Sequence, residues 1–280
     1  MMKTITNEIV NRFKLHLYQE EKSNNTIEKY MRDIRHFRRW LKGCEFDKSI
    51  VLEYKRELIE KYAPASVNSM LSSLNALFIY LNWYDMKVKT LKIQKQIFAS
   101  KDKELTKAEY ERLLTAAKSN NNEQLYYLMQ TIASTGIRIS ELSAISVEAV
   151  KTGQATINCK GKLRQIFLPK ALCKMLKEYI KRRNIQSGSV FVTRTGKPLD
   201  RCRVWKLLKG LCESANVSKD KVFPHNFRHL FARTFYSLQK DIVRLADILG
   251  HSSVNTTRIY TMESGIEHRK QLQKLGLLRC

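Results

Sequence analysis

Apolar residues recur at helical spacing through the first eighty positions. Ile9, Val10, Phe13 and Leu17 fall on one helical face. Ile27, Tyr30, Met31, Ile34, Phe37, Trp40 and Leu41 make a second stripe. It is preceded by the cap candidates Ser23, Asn24, Asn25 and Thr26 and stopped by Gly43. Residues 47–61 carry a third helical pattern, which ends before Pro64. Val67, Met70, Leu71, Leu74, Leu77, Phe78 and Leu81 form a fourth. Four such helices close a small bundle, so residues 1–85 are predicted to be one domain.

Residues 86–104 break the period. They are charged and lack a long apolar face, which predicts a linker. Thr106 and Glu109 then match a capping box, and a second domain is predicted over 105–280. Its helices are predicted at 106–118, 123–135 and 139–146. Residues 155–159 and 165–168 read as strands flanking Lys160, Gly161 and Lys162, a hairpin. Further helices are predicted near 170–183, 201–214, 225–238 and 241–249. Ile266, Leu272, Leu275, Leu277 and Leu278 give a short apolar tail helix. The predicted class is mainly α with a small β-hairpin (α+β), in two domains.

Composition sharpens this picture. The hydrophobic fraction of 43% supports a buried core. The net charge of +25, from 51 Lys and Arg against 26 Asp and Glu, is spread along the chain. Such an excess repels itself when compact and points to a polyanionic partner, nucleic acid before an anionic membrane. No apolar run approaches the ~20 residues that span a bilayer, and the N-terminus lacks an apolar signal core. Cys44, Cys159, Cys173, Cys202, Cys212 and Cys280 show neither disulfide nor zinc-ligand spacing. A soluble, cytoplasmic protein with reduced thiols and no metal is expected.

Four segments of the second domain place polar residues in apolar surroundings. In the first, Arg138 sits between two isoleucines after Gly136, with Glu141 three residues on to hold its guanidinium. The second is the hairpin tip with Lys160 and Lys162. In the third, His225 and Arg228 are three apart, which puts both on one helix face. The fourth runs from Gly250 through His251 to Tyr260, with Ser252 or Ser253 as cap. Each alone has a plain structural reading: an ion pair, a turn lysine, a packed tyrosine.

Together, TGIRISEL, CKGKLRQIFLP, PHNFRH and LGHSSVNTTRIY resemble, in order and spacing, the four active-site boxes of the tyrosine recombinases, or phage integrase family. The resemblance covers nearly the whole chain and is greatest to compact Xer-like and mobile-element members. It implies an N-terminal SAM-like core-DNA-binding bundle ahead of the catalytic domain. It implies catalytic roles for Arg138, Lys160, His225, Arg228, His251 and Tyr260, and none for Lys162 or Arg164.

The chemistry then expected is site-specific recombination through a 3′-phosphotyrosyl link. Arg138 and Arg228 brace the phosphate, the two histidines add hydrogen bonds, and Lys160 protonates the leaving oxygen. No cofactor or metal is called for, because the arginines supply the positive charge. The partners expected are double-stranded DNA with paired sites and a homotetramer linked by the apolar tail. Arg32, Arg35, Arg39, Ser69, Ser72 and Ser73 are candidate DNA contacts of the bundle. Integration, excision, inversion and dimer resolution all use this chemistry. The alternatives are a type IB topoisomerase-like relaxing enzyme and a non-catalytic DNA-binding regulator of the same fold.

Overall fold

A computed structural model describes residues 2–93, 103–159, 162–251 and 253–260. The chain falls into two compact units, Met1–Lys95 and Gln96–Cys280.

The first unit holds α1 (Asn7–Gln19), α2 (Asn24–Trp40), α3 (Lys48–Lys61) and α4 (Pro64–Tyr80). Three of the four starts are fixed by side-chain caps. Thr6 accepts from the Ile9 amide, Ser23 from Thr26, and Asp47 from Ser49 and Ile50. Pro64 opens α4 in the first turn, where its missing N–H costs nothing. The apolar stripes meet in a core of Phe13, Ile34, Phe37, Phe46, Tyr54, Leu74 and Phe78, all buried. After α4 the chain is laid along that helix. The Asn75 amide exchanges hydrogen bonds with the Val88 backbone (2.8 and 3.0 Å), and Asn68 does the same with Leu91 (2.9 and 2.7 Å). Residues 94–102, within the expected linker, lie outside the described residues.

The second unit begins with α5 (Lys107–Ser119), where the Thr106–Glu109 capping box forms in both directions. Then follow α6 (Glu123–Thr135), α7 (Val147–Thr152), β1 (Gln154–Cys159), β2 (Lys162–Phe167), α8 (Lys170–Arg182), α9 (Arg201–Gly210), α10 (Pro224–Gln239), α11 (Ile242–Leu249) and α12 (Val254–Thr257). The strands pair antiparallel, Gln154 opposite Phe167 and Cys159 opposite Lys162. The core gathers Leu113, Leu128, Ile132, Leu176, Phe191 and Phe227, and α10 packs across α6.

One predicted helix takes another form. Residues 139–144 wind as a 3₁₀ turn, and a separate helix, α7, begins at Val147. Glu141 ties its carboxylate to the Arg138 amide, which closes the first turn tightly, and Ser146 caps α7 by accepting from the Ala149 amide. The helix predicted over 201–214 ends earlier, at Gly210. The expected tail helix falls in residues 261–280, outside the described residues.

Candidate active site

The site is built where α6, α10 and α11 end or begin against one another. α6 stops at Gly136, whose φ of +64° is left-handed. A Cβ there would lie 2.4 Å from Phe231 Cδ1 and 3.0 Å from Leu249 Cδ2. Glycine is thus required both by the backbone and by the close approach of α10 and α11. Two residues later Arg138 leaves the turn. Its amide donates to Glu141 Oε2 (2.8 Å) and its Nη1 to Glu141 Oε1 (2.9 Å). Glu141 is buried and also accepts from Arg164 Nη2 at 2.6 Å. A carboxylate this enclosed is tolerated because two guanidiniums share its charge.

The C-terminus of α11 organises the cations. Three successive carbonyls each accept from a different arginine. Ile248 takes Arg164 Nη1 (3.0 Å), Leu249 takes Arg228 Nη2 (2.8 Å) and Gly250 takes Arg138 Nη2 (3.2 Å). A helix end carries unpaired carbonyls and partial negative charge, so it holds cations that would otherwise repel one another.

Arg228 is 1% exposed, and its Nη1 also donates to the Gly136 carbonyl at 2.6 Å. Burial, reinforced by Arg138, pushes its pKa down to about 10, so the guanidinium remains charged at neutral pH. Its Nη2 lies 3.0 Å from His251 Nε2. A guanidinium only donates, so Nε2 accepts. The proton of the neutral ring then sits on Nδ1 and points to Thr257 Oγ1, 2.8 Å away. Burial, then Arg228 and Arg138, push the His251 pKa down to about 4, in keeping with that neutral form.

Tyr260 closes the 3₁₀ turn that follows α12 and is 4% exposed. It packs with Ala232, Leu245 and Leu249, beside Phe231, Phe235 and Tyr236. The His251 ring lies nearly parallel to it at 6.0 Å, and the His229 ring stands edge-on at 4.7 Å. His229 in turn meets His225 at 4.5 Å. Burial first, and then His225 and Arg228, lower the His229 pKa to about 4. His225, near the start of α10, keeps one side open to solvent; partial desolvation of its ring, and then Arg228, Arg138 and Arg201, push its pKa down.

Of the six expected site residues, five come together: Arg138, His225, Arg228, His251 and Tyr260. Lys160 lies outside the described residues. His225 and Arg228 differ in environment despite their spacing, since one is exposed and the other buried. Two further residues belong to the site. His229 contacts the tyrosine ring, and Arg164 braces Glu141 and α11. Strand parity carried a signal for the second: Arg164 shares its face of β2 with Ile166, which is buried, while Leu163 and Phe167 point to solvent.

In the first unit, Arg32, Arg35, Arg39 and Ser72 are exposed and Ser69 is half-buried. Ser73 has to be withdrawn as a surface contact. It is fully buried, donates to Asp33 Oδ2 at 2.8 Å and lies 2.9 Å from Lys29 Nζ. Its hydroxyl satisfies a buried carboxylate between α2 and α4.

Comparison with known proteins identifies the family. Residues 103–265 match the model of the phage integrase family, and residues 10–84 match that of the phage integrase N-terminal SAM-like domain. The chain belongs to the phage integrase family, the tyrosine-type site-specific recombinases. Among its relatives is the tyrosine recombinase XerA of Pyrococcus furiosus, 29% identical over 99% of this chain and 96% of the other. The TnP I resolvase of Bacillus thuringiensis is 25% identical over 96% of this chain and all of its own. The fold is shared with a lambda integrase tetramer bound to a Holliday junction, with a TM-score of 0.75 at 18% identity over 92% of this chain and 77% of that one. Among the described residues no helix is long and apolar enough to cross a membrane.

Proposed function

We propose that this recombinase cuts and rejoins double-stranded DNA with Tyr260 as nucleophile. The observation that carries the reading is the gathering of Arg138, Arg228 and His251 around one helix end, with the Tyr260 ring against His251. The carbonyls that hold the two arginines are neutral. A phosphate anion competes with them strongly, because charge-assisted hydrogen bonds are about twice as strong as neutral ones. The arginines thus exchange carbonyl oxygens for the non-bridging oxygens of a scissile phosphate, where charge grows in the transition state.

The Tyr260 oxygen attacks phosphorus, and the bond from phosphorus to the 5′ oxygen breaks. A 3′-phosphotyrosyl link and a free 5′-hydroxyl result. A phenol with an ordinary pKa of ~10 is mostly protonated at pH 7, so it needs a base. His225, the exposed imidazole at the mouth of the site, takes that proton, and Lys160 protonates the leaving oxygen. Attack by a second strand's 5′-hydroxyl reverses the sequence. The phosphoester is conserved throughout, so no ATP is consumed.

Tyr260 is buried before DNA binds, and we infer that docking on DNA draws it out. The apolar residues of the tail, from Ile266 to Leu278, link protomers into a tetramer on paired sites. Arg32, Arg35, Arg39, Ser69 and Ser72 contact the duplex from the bundle. The chain works in the cytoplasm, where its DNA lies. The experiment is covalent capture. Full-length protein is incubated with fragmented DNA from its own source and denatured, and the DNA that remains attached is sequenced. Wild type is expected to retain a defined site through its 3′ end, and Tyr260→Phe to retain none while still binding the recovered duplex. Capture by Tyr260→Phe, or attachment through a 5′ end, overturns the assignment.

A further inference from the structure

Arg164 belongs to none of the catalytic positions, yet it joins three parts of the site. Its place on β2 turns the side chain inward, to 13% exposure. An inward guanidinium must be matched by acceptors or it destabilises the fold. Nη2 donates to Glu141 Oε2 at 2.6 Å, and Nη1 donates to the Ile248 carbonyl at 3.0 Å. The other oxygen of Glu141 holds Arg138. Ile248 lies in the last turn of α11, just before Gly250 and His251. Gly250 itself is shaped around this arginine. Its φ is +62°, and a Cβ would stand 2.5 Å from Arg164 Cδ and 2.9 Å from Nη1. The chain thus leaves α11 toward His251 in close contact with this side chain.

We propose that Arg164 is a positioning residue for recombination. It locks Glu141, which aims Arg138, to the end of α11, from which His251 projects. The inference rests on the reading that Arg138 and His251 act on a DNA phosphate. Two fixed donors, one to a carboxylate and one to a carbonyl, suit the planar fork of an arginine. A lysine is a point charge and serves one of the two.

The test uses the full-length protein and the duplex recovered by covalent capture. Non-covalent binding and the single-turnover rate of adduct formation are measured for Arg164→Ala, Arg164→Lys, Glu141→Gln and the double variant Glu141→Gln/Arg164→Ala. Arg164→Ala is expected to bind the duplex within about threefold of wild type and to form adduct about 100-fold more slowly, the scale of an ångström-level misplacement of catalytic groups. Arg164→Lys is expected to stay below about a tenth of the wild-type rate, since it bridges only one partner. The double variant is expected to match Arg164→Ala within about threefold, because both residues act through one chain of contacts.

An Arg164 variant that cleaves within about threefold of wild type overturns the inference, as do losses that multiply in the double variant. If Arg164→Ala does not fold, Arg164→Lys, which keeps the charge and much of the length, decides the question alone. A wild-type protein that forms no adduct overturns the reading of the whole site. A wild-type adduct with an unimpaired Arg164 variant overturns this inference only.

Discussion

Replacing Gly136 by alanine perturbs the point where α6, α10 and α11 meet. Two costs follow from the structure. The first is the left-handed backbone at φ +64°, which costs an L-residue about 1–2 kcal/mol. The second is collision of the new methyl with Phe231, 2.4 Å to Cδ1 and 2.7 Å to Cε1, and with Leu249 at 3.0 Å. Overpacking of this kind costs about 1–3 kcal/mol. Gly153 provides the control. It also caps a helix with positive φ, +77°, but a Cβ there meets nothing within 4 Å. Gly153→Ala therefore carries the backbone cost alone, and Gly136→Ala carries both, roughly 2–5 kcal/mol in all. For a unit of this size each kcal/mol lowers the melting temperature by about 2–4 °C. Calorimetry of the full-length variants should show the second unit melting about 10 °C lower in Gly136→Ala and about 3–5 °C lower in Gly153→Ala. Equal shifts in the two variants would refute the packing argument. A neutral Gly136→Ala would refute both terms.

Three other outcomes test separate parts of the account. Ser73→Ala removes the hydroxyl that serves buried Asp33 and should cost about 1–3 kcal/mol in urea unfolding while leaving DNA affinity unchanged; weaker binding at full stability would restore Ser73 as a contact. His229 and His251 titrate near 4 when folded and near 6.5 when unfolded, so the unfolded chain binds more protons between those values. Stability is then full above about pH 6.5 and falls as acid approaches pH 4, by at most about 3 kcal/mol per histidine, reduced by solvent screening of the partly exposed rings; a melting temperature flat across that window contradicts the neutral imidazoles. Replacing Arg32, Arg35 or Arg39 by alanine should each reduce the slope of log affinity against log salt by about 1, and an unchanged slope removes that residue from the DNA interface.

Much of this was legible in the sequence because it depends on local pattern. The stripes of α2 and α4 fix which faces are buried, and Thr106 with Glu109 announces the start of α5. The site segments were legible only together: Arg138, His225, Arg228, His251 and Tyr260 each admit an ordinary structural reading, and it is their four segments in order and spacing that resemble the active-site boxes of the tyrosine recombinases. Features made by tertiary contact were not. That three arginines share successive carbonyls of α11 depends on how β2, α6 and α10 converge, and no spacing in the chain encodes it. Ser73 reads as surface because its neighbours Ser69 and Ser72 are polar, but the helix turns it toward Asp33. The 3₁₀ turn at 139–144 reads as helix by its apolar spacing, and only the side-chain bond from Glu141 back to the Arg138 amide tightens it. Tyr260 alone reads as a packed tyrosine, but which residues enclose its ring, Phe231, Phe235 and Tyr236 among them, no spacing in the chain encodes.

The most direct test of the central claim is mass spectrometry of the trapped complex. Cleavage after Arg258 and Arg269 releases residues 259–269, in which Tyr260 is the one tyrosine. After nuclease trimming, this peptide is predicted to carry a nucleotide joined through its 3′ phosphate to the Tyr260 oxygen. A nucleotide on any other residue, or an adduct with this peptide unmodified, would contradict the account.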